Sequence, residues 1–286
     1  MGMELSAREM MEKLISFPSV SSVSNLPIID FIEEYLNSHG VECHRVYNPA
    51  GDKANLYANA GPAVDGGVIL SGHTDVVPVV GQDWDTDPFK VVEKDGKLYG
   101  RGTCDMKGFD AIALTAVPKA LKRGIKRPIQ IAMSYDEEVG CIGAPFMAAE
   151  MAKLMPKASA AIIGEPSMMK AVSGHKGGLG IKTHVRGFEV HSSLQHIGVS
   201  AIHEAAKLIE WANQMNIQNE LLDRSEATSM FIPPWTTVHV GTIEGGTANN
   251  ITAKDCHFVM GFRVIPNERA TDWKQAYESK VREVEA

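Results

Sequence analysis

Three apolar runs each end on residues able to bind a metal ion. Val68-Ile69-Leu70 leads into Ser71-Gly72-His73-Thr74-Asp75, Ile129 to Met133 leads into Ser134-Tyr135-Asp136-Glu137-Glu138, and Ala160 to Ile163 leads into Gly164-Glu165-Pro166. Short apolar runs stopped by glycine, proline or charge read as buried strands, and in open α/β sheets ligands bind beyond the carboxyl ends of the strands. His73, Glu137, Glu138 and Glu165 are therefore expected on one rim, with Asp105 of Gly100-Arg101-Gly102-Thr103-Cys104-Asp105 as a fifth member. One imidazole among several carboxylates suits zinc, cobalt or manganese in a hydrolytic site rather than a cysteine-built structural one.

Each element by itself is ambiguous. His73 and Asp75 form His-x-Asp, whose side chains point the same way in an extended segment. Asp75 then either lies in a polar loop or accepts a hydrogen bond from the far nitrogen of His73, fixing its tautomer. Asp105 stands just ahead of a helix, where an acid also serves as a cap, and the glycines around it suggest a close backbone approach. Glu137 and Glu138 are adjacent, and neighbours in an extended chain face opposite ways. One can then be a ligand while the other acts as general base toward water. Pro166 holds Glu165 extended, which fits a rigid ligand and a plain turn equally. Four such elements at matched strand ends carry weight that none has alone.

The elements that would position these residues follow from patterning. Ser6-x-x-Glu9 ahead of Met10, Met11, Leu14 and Ile15 is a capping box opening a helix. A second helix is expected from Pro27 to Asn37 with Gly40 as its stop. Strands are expected over Val41–Tyr47 and Asn55–Ala58 around an Asn48-Pro49-Ala50-Gly51 turn. A helix over Met106–Leu121 should be kinked or shortened at Pro118, and another should span Ile142–Leu154. Strands alternating with helices imply an α/β fold, a mostly parallel sheet with helices on both faces. Near Gly177-Gly178 the pattern changes to a strand (Leu179–Arg186), a helix (Val199–Met215), two strands (Thr236–Ile243 and Ile251–Val264) and a helix (Thr271–Val284). That is a split βαβ layout without its last strand. The expected division is a metal-binding domain over 1–178 and an α+β domain over 179–286. No internal repeat or low-complexity segment is evident.

Composition narrows the partners. The chain has 286 residues, 44% hydrophobic and 22% charged, with a formal charge of −7, an ordinary globular balance. No basic footprint for nucleic acid is present, and no apolar run approaches a membrane span. Met1 to Ser6 lacks the features of a signal peptide, so a cytoplasmic location is expected. Cys43, Cys104, Cys141 and Cys256 form no Cys-x-x-Cys pair and read as free, mostly buried thiols.

Taken together, the segments resemble the dinuclear-zinc amidohydrolase and peptidase family that contains acetylornithine deacetylase, succinyl-diaminopimelate desuccinylase and carboxypeptidase-like members. Three stretches most resemble the acetylornithine deacetylases: Ser71 to Val79, Gly100 to Gly108, and Ser134 to Gly143. The resemblance implies two zinc ions, with cobalt able to substitute. Asp105 would bridge them, His73 and Glu165 would complete one, and Glu138 would bind the other. Glu137 would be the general base acting on the attacking water, and Asp75 would orient His73. It further implies hydrolysis of the N-acetyl amide of N2-acetyl-L-ornithine, a small-molecule N-acyl amino acid, in arginine biosynthesis. The second domain would be a lid that also forms a homodimer. In Arg186-Gly187-x-x-x-His191-Ser192-Ser193, His191 would stabilise the oxyanion across that dimer. Asn250 and Arg263 would contact substrate, the arginine suiting an α-carboxylate. For His175, His184, His239 and His257 the expectation is ordinary strand or loop histidines. The family completes its second metal with a histidine beyond Ala286, so this chain is expected to stop inside its lid and to hold that ion weakly. Sibling chemistry, a desuccinylase or a dipeptidase or carboxypeptidase, and a non-catalytic metal-binding or dimerisation module remain the alternatives.

Overall fold

A computed structural model describes residues 4–286. Met1, Gly2 and Met3, which head the expected first domain and the segment read as lacking a signal peptide, lie outside the described residues. The chain divides into two compact units between Lys170 and Ala171. The change of pattern had suggested a boundary after 178, but the first strand of the second unit already starts at Gly177. Its glycines carry little strand signal of their own.

The first unit runs α1 (Ala7–Ile15), α2 (Leu26–Ser38), β1 (Cys43–Tyr47), β2 (Ala54–Ala60), β3 (Val68–His73), a small hairpin β4 (Val92–Lys94) and β5 (Lys97–Tyr99), α3 (Lys107–Lys122), β6 (Ile129–Ser134), α4 (Ala144–Leu154) and β7 (Ala160–Ile163). The capping box opens α1 as expected: Ser6 Oγ accepts from the Glu9 amide at 3.2 Å and the Ser6 amide donates to the Glu9 carboxylate at 2.8 Å. Its buried face is Met10, Met11, Leu14 and Ile15.

The main sheet has the order β1-β2-β6-β3-β7. β3 is parallel to both β6 and β7, so the three rim-bearing strands share a direction. β1 and β2 instead form an antiparallel hairpin, and β2 is antiparallel to β6. The short turn between β1 and β2 explains this departure from a mostly parallel sheet, because a parallel pair needs a long crossover. α1, α2 and α3 cover one face, with Ile29, Ile32, Leu36, Leu114 and Val117 packed on Leu56, Ile131 and Met133. Met147 and Met151 of α4 pack on Tyr57 and Ala132 from the other. α3 continues past Pro118 to Lys122 rather than breaking there. Burial of Ala111, Leu114 and Val117 on the sheet side outweighs the one lost backbone bond.

The second unit contains β8 (Gly177–Arg186), a 3-10 turn (Ser192–Ile197), α5 (Ala201–Leu221), a one-turn α6 (Glu226–Ser229), β9 (Thr237–Gly245), β10 (Asp255–Val264) and α7 (Ala270–Glu285). Its antiparallel sheet has the order β8-β10-β9. Cys256, Phe258, Met260, Phe262 and Val264 face inward against Ala205, Leu208 and Tyr277 of α5 and α7. The intervening residues of β10 face away from those helices, with His257, Val259 and Arg263 exposed. α5 extends six residues past the expected Met215, held there by the Asn216 and Asn219 side chains, which donate to the Val238 and Thr236 carbonyls of the sheet side. Among the described residues no helix is long and apolar enough to cross a membrane.

Candidate metal centre

The three strand ends meet around His73. The residue is buried, and its Nε2 lies 3.0 Å from Asp105 Oδ1, 3.9 Å from Glu137 Oε2 and 3.9 Å from Glu165 Oε1. Nδ1 sits 2.9 Å from the Asp75 backbone carbonyl, an acceptor only, so Nδ1 carries a proton and Nε2 faces the acids. The Asp75 carboxylate is farther from Nδ1, at 3.5 Å. It instead accepts from Ser21 Oγ at 2.6 Å and from the backbone amides of Glu137 and Glu138 at 3.1 and 3.3 Å. Asp75 thus sets His73 mainly through its carbonyl and uses its carboxylate to clamp the Glu137-Glu138 turn.

That turn changes the geometry expected for the acid pair. β6 ends at Ser134, and Asp136 adopts a left-handed backbone with φ 55°, a conformation Asp tolerates better than most residues. Lys53 pins the Asp136 carboxylate at 2.6 Å. Strand alternation no longer applies past this point, and both neighbouring glutamates reach the His73 side of the rim. His73, Asp105 and Glu138 each offer a ligand atom within 4.8 Å of the others, and so do His73, Glu137 and Glu165. The resemblance had grouped Glu165 with His73 and Asp105, whereas here Glu165 gathers with Glu137. Glu137 Oε1 also accepts from the Cys141 thiol at 3.2 Å. Burial and the Glu137 charge push that thiol up to about 11, which keeps it a donor. Cys141 and Cys104 are exposed and Cys43 is half-buried, so Cys256 alone fits the expectation of buried thiols. Rim and loop positions, not a core, house the first two.

Two glycines allow the convergence. A Cβ on Gly72 would stand 2.0 Å from Asp110 Oδ1, and one on Gly164 would stand 2.0 Å from the Phe109 ring. The glycines of the Asp105 loop have a more internal purpose: a Cβ on Gly108 would meet the Thr103 carbonyl at 2.3 Å. The loop folds tightly on itself beside a cleft of about 180 Å³ lined by Val77, residues 100–105 and Glu138. The Asp105–Met106 peptide is cis. Lys107 is buried and donates to the Leu14 and Phe17 carbonyls at 3.1 and 2.8 Å, tying the loop to the end of α1.

The electrostatics fit a cation. Burial alone would push His73 down, but Asp75, Asp110 and Glu165 overcome it and raise the imidazole to about 10. Glu138 is raised by burial and then by Asp105. Glu165 is raised by burial, eased by His73, and raised again by Asp105 and Glu137. Crowded carboxylates that resist ionising beside one another are what a divalent ion relieves. Asp110 lies fully buried behind the rim with neither oxygen hydrogen-bonded, and burial pushes it up to about 8.

Sequence reasoning missed Ser21, Lys53, Asp136 and Asp110, which hold the rim from behind. Ser21 reaches Asp75 because the Val76 amide donates to the Ser19 carbonyl and the Ser21 amide to the Val76 carbonyl, a long-range pairing with no local signature. In the second unit, His191 caps the 3-10 turn, its Nδ1 accepting from the Ser193 amide at 3.3 Å, and its ring is exposed. The Ser192 amide donates to the Asn250 carbonyl at 2.8 Å, so His191 and Asn250 are neighbours. Arg263 lies near the far end of β10, paired with Gly178 and Thr237. At about 3.4 Å per residue that is roughly 25 Å from the end nearest Asn250.

A histidine ringed by carboxylates at the ends of parallel strands, on an α/β unit followed by an antiparallel α+β unit, suits a metal-dependent hydrolase. The comparisons make this particular. Residues 69–276 match the model of "Peptidase family M20/M25/M40", and the chain belongs to that family. It is 35% identical over 283 residues to an acetylornithine deacetylase of Pasteurella multocida, covering 96% of this chain and 72% of that protein. It is also 35% identical over 266 residues to an acetylornithine deacetylase of Myxococcus xanthus, covering 91% and 67%. Its fold is similar to that of an M20 family metallo-carboxypeptidase from Sulfolobus solfataricus, with TM-score 0.81 at 16% identity over 98% of this chain and 76% of the other.

Proposed function

We propose that the chain hydrolyses the N-acetyl amide of N2-acetyl-L-ornithine to L-ornithine and acetate, a step of arginine biosynthesis in the cytoplasm. The observation that carries this is the rim of His73, Asp105, Glu137, Glu138 and Glu165 in a chain 35% identical to acetylornithine deacetylases over most of its length. His73, Asp105, Glu138 and Glu165 would hold zinc, or cobalt in its place. Metal bound there supplies Lewis acidity to the scissile carbonyl and makes water a stronger acid.

The chain's own residues do the rest. Glu137 takes a proton from the attacking water on a carboxylate oxygen and passes it to the leaving nitrogen as the C–N bond breaks. Asp75 is a positioning residue that keeps Glu137 and Glu138 facing His73. His191 donates to the oxyanion, Arg263 grips the α-carboxylate of the substrate and Asn250 contacts it nearby. The length of the sheet between Asn250 and Arg263 supports a homodimer, in which a second copy brings His191 and Asn250 to a substrate held by the first.

Purified chain supplied with zinc or cobalt should release ornithine from N-acetylornithine. Release only from N-succinyl-diaminopimelate, or only from a dipeptide, would move the assignment to a sibling activity. Absence of turnover on all three substrates, with one ion or none per chain, would favour a non-catalytic module.

A further inference from the structure

The second unit brings together two histidines that the sequence separates widely. His184 on β8 and His257 on β10 are directly opposed in the antiparallel register. Their rings stack with centroids 4.0 Å apart and 18° between planes. Asp255, two residues before His257 and so on the same face, lies 2.7 Å from His184 Nε2 through its Oδ1. One ligand atom from each of the three falls within 4.8 Å of the others. All belong to the side of the sheet turned away from α5 and α7, beside a groove lined among others by Lys182, Thr242, Glu244 and Val259.

We propose that His184, His257 and Asp255 form a second metal site, separate from the rim around His73, which takes an imidazole-preferring divalent ion such as zinc or copper. Two imidazoles and one carboxylate leave an open position and suit these ions, while hard cations such as magnesium or calcium prefer an all-oxygen shell. The site is partly organised beforehand. The sheet fixes both histidine backbones and the Asp255 carboxylate is already on His184 Nε2, while the near-parallel rings swing apart on binding so that both in-plane lone pairs meet one ion. Binding moves the His184 proton from Nε2 to Nδ1, so that Nε2 is free to coordinate.

The local charge is balanced. Asp255 faces Arg186, Lys182 faces Val259, and Glu244 faces His257 from β9. Affinity therefore comes from nitrogen ligation more than from a net field, and copper should bind more tightly than zinc, in the order expected for nitrogen sites. An ion here links β8 to β10, the first and central strands of the antiparallel sheet. This is independent of the reaction assigned to the rim, since no rim residue takes part.

The test is metal binding by the full chain. Dialysed against micromolar zinc, wild type should hold one more ion than His184→Asn/His257→Asn. His73→Ala should leave this second ion in place. With copper, the electron paramagnetic resonance spectrum should show splitting from two imidazole nitrogens, lost in the double variant and retained in His73→Ala. The rim has a single histidine and cannot give that signature. Asp255→Asn, which keeps both rings, should weaken zinc binding about tenfold. Equal zinc content in wild type and the double variant, or binding only at millimolar concentrations, would overturn the site. His184 and His257 are exposed and Asp255 is half-buried, so substitutions there should leave the fold intact, and an unchanged far-ultraviolet circular dichroism spectrum verifies folding for these variants and for His73→Ala, whose position is buried.

Discussion

The rim around His73 and the face carrying His184 and His257 both set imidazole beside carboxylate, yet they are built differently. At the rim the ligands leave the ends of three strands and a loop, and a layer of buried partners stands behind them. Asp75 takes three hydrogen bonds, Lys53 pins Asp136, and Lys107 ties the Asp105 loop to α1. On the sheet face the ligands are held by register, stacking and the Asp255–His184 contact. The first arrangement aims several charged groups at one point and keeps them there, as catalysis requires. The second suffices for binding an ion.

If the contrast is right, changes at the rim should reach activity and leave the sheet face untouched. The largest effect is expected from Glu137→Gln. Loss of the general base should lower kcat by about 10²–10⁴, with the rim's metal content nearly unchanged. The proximity of Glu137 to His73 and Glu165 makes this a sharp test. Loss of metal along with activity would make Glu137 a ligand rather than the base.

Gly72→Ala comes next and strikes the scaffold. Its Cβ would meet Asp110 Oδ1 at 2.0 Å in a buried setting. Overpacking of that kind costs about 1–3 kcal/mol, read as a fall in the urea midpoint. An unchanged midpoint would show that Asp110 has room to move and that the close approach matters little. Smaller again is Asp75→Asn, which keeps the His73 contact through the backbone carbonyl but removes the charge facing the Glu137 and Glu138 amides. Metal affinity should drop about 10–100-fold, whereas zinc held by His184 and His257 should not change.

The same contrast explains what the sequence could show. His73, Asp105, Glu137, Glu138 and Glu165 were legible because each sits in a contiguous motif at the end of an apolar run, and the α/β order of the first unit followed from periodicity. Ser21 was not, since only the pairing of its loop with Val76 brings it to Asp75. His184 and His257 read as unremarkable strand residues, because nothing local to either sets the register that opposes them. The turn at Asp136 was hidden as well: a left-handed residue inside an acidic run gives no signal until Lys53 is seen to hold it.

Ser21→Ala should have the smallest effect and tests the depth of the supporting layer most directly. Ser21 Oγ makes the shortest of the three bonds to the Asp75 carboxylate, at 2.6 Å, and both residues are buried. A hydrogen bond to a charged group contributes about 1.5–3 kcal/mol, but the two backbone amides remain and Ser21 touches no ligand. Folding stability should therefore fall by an amount near the lower end of that range, while kcat/KM drops less than tenfold and metal affinity less than in Asp75→Asn. If Ser21→Ala instead matches Asp75→Asn in metal affinity, the hydroxyl and not the backbone amides fixes the carboxylate. The clamp on the Glu137-Glu138 turn would then originate in the loop before α2 rather than in the turn itself.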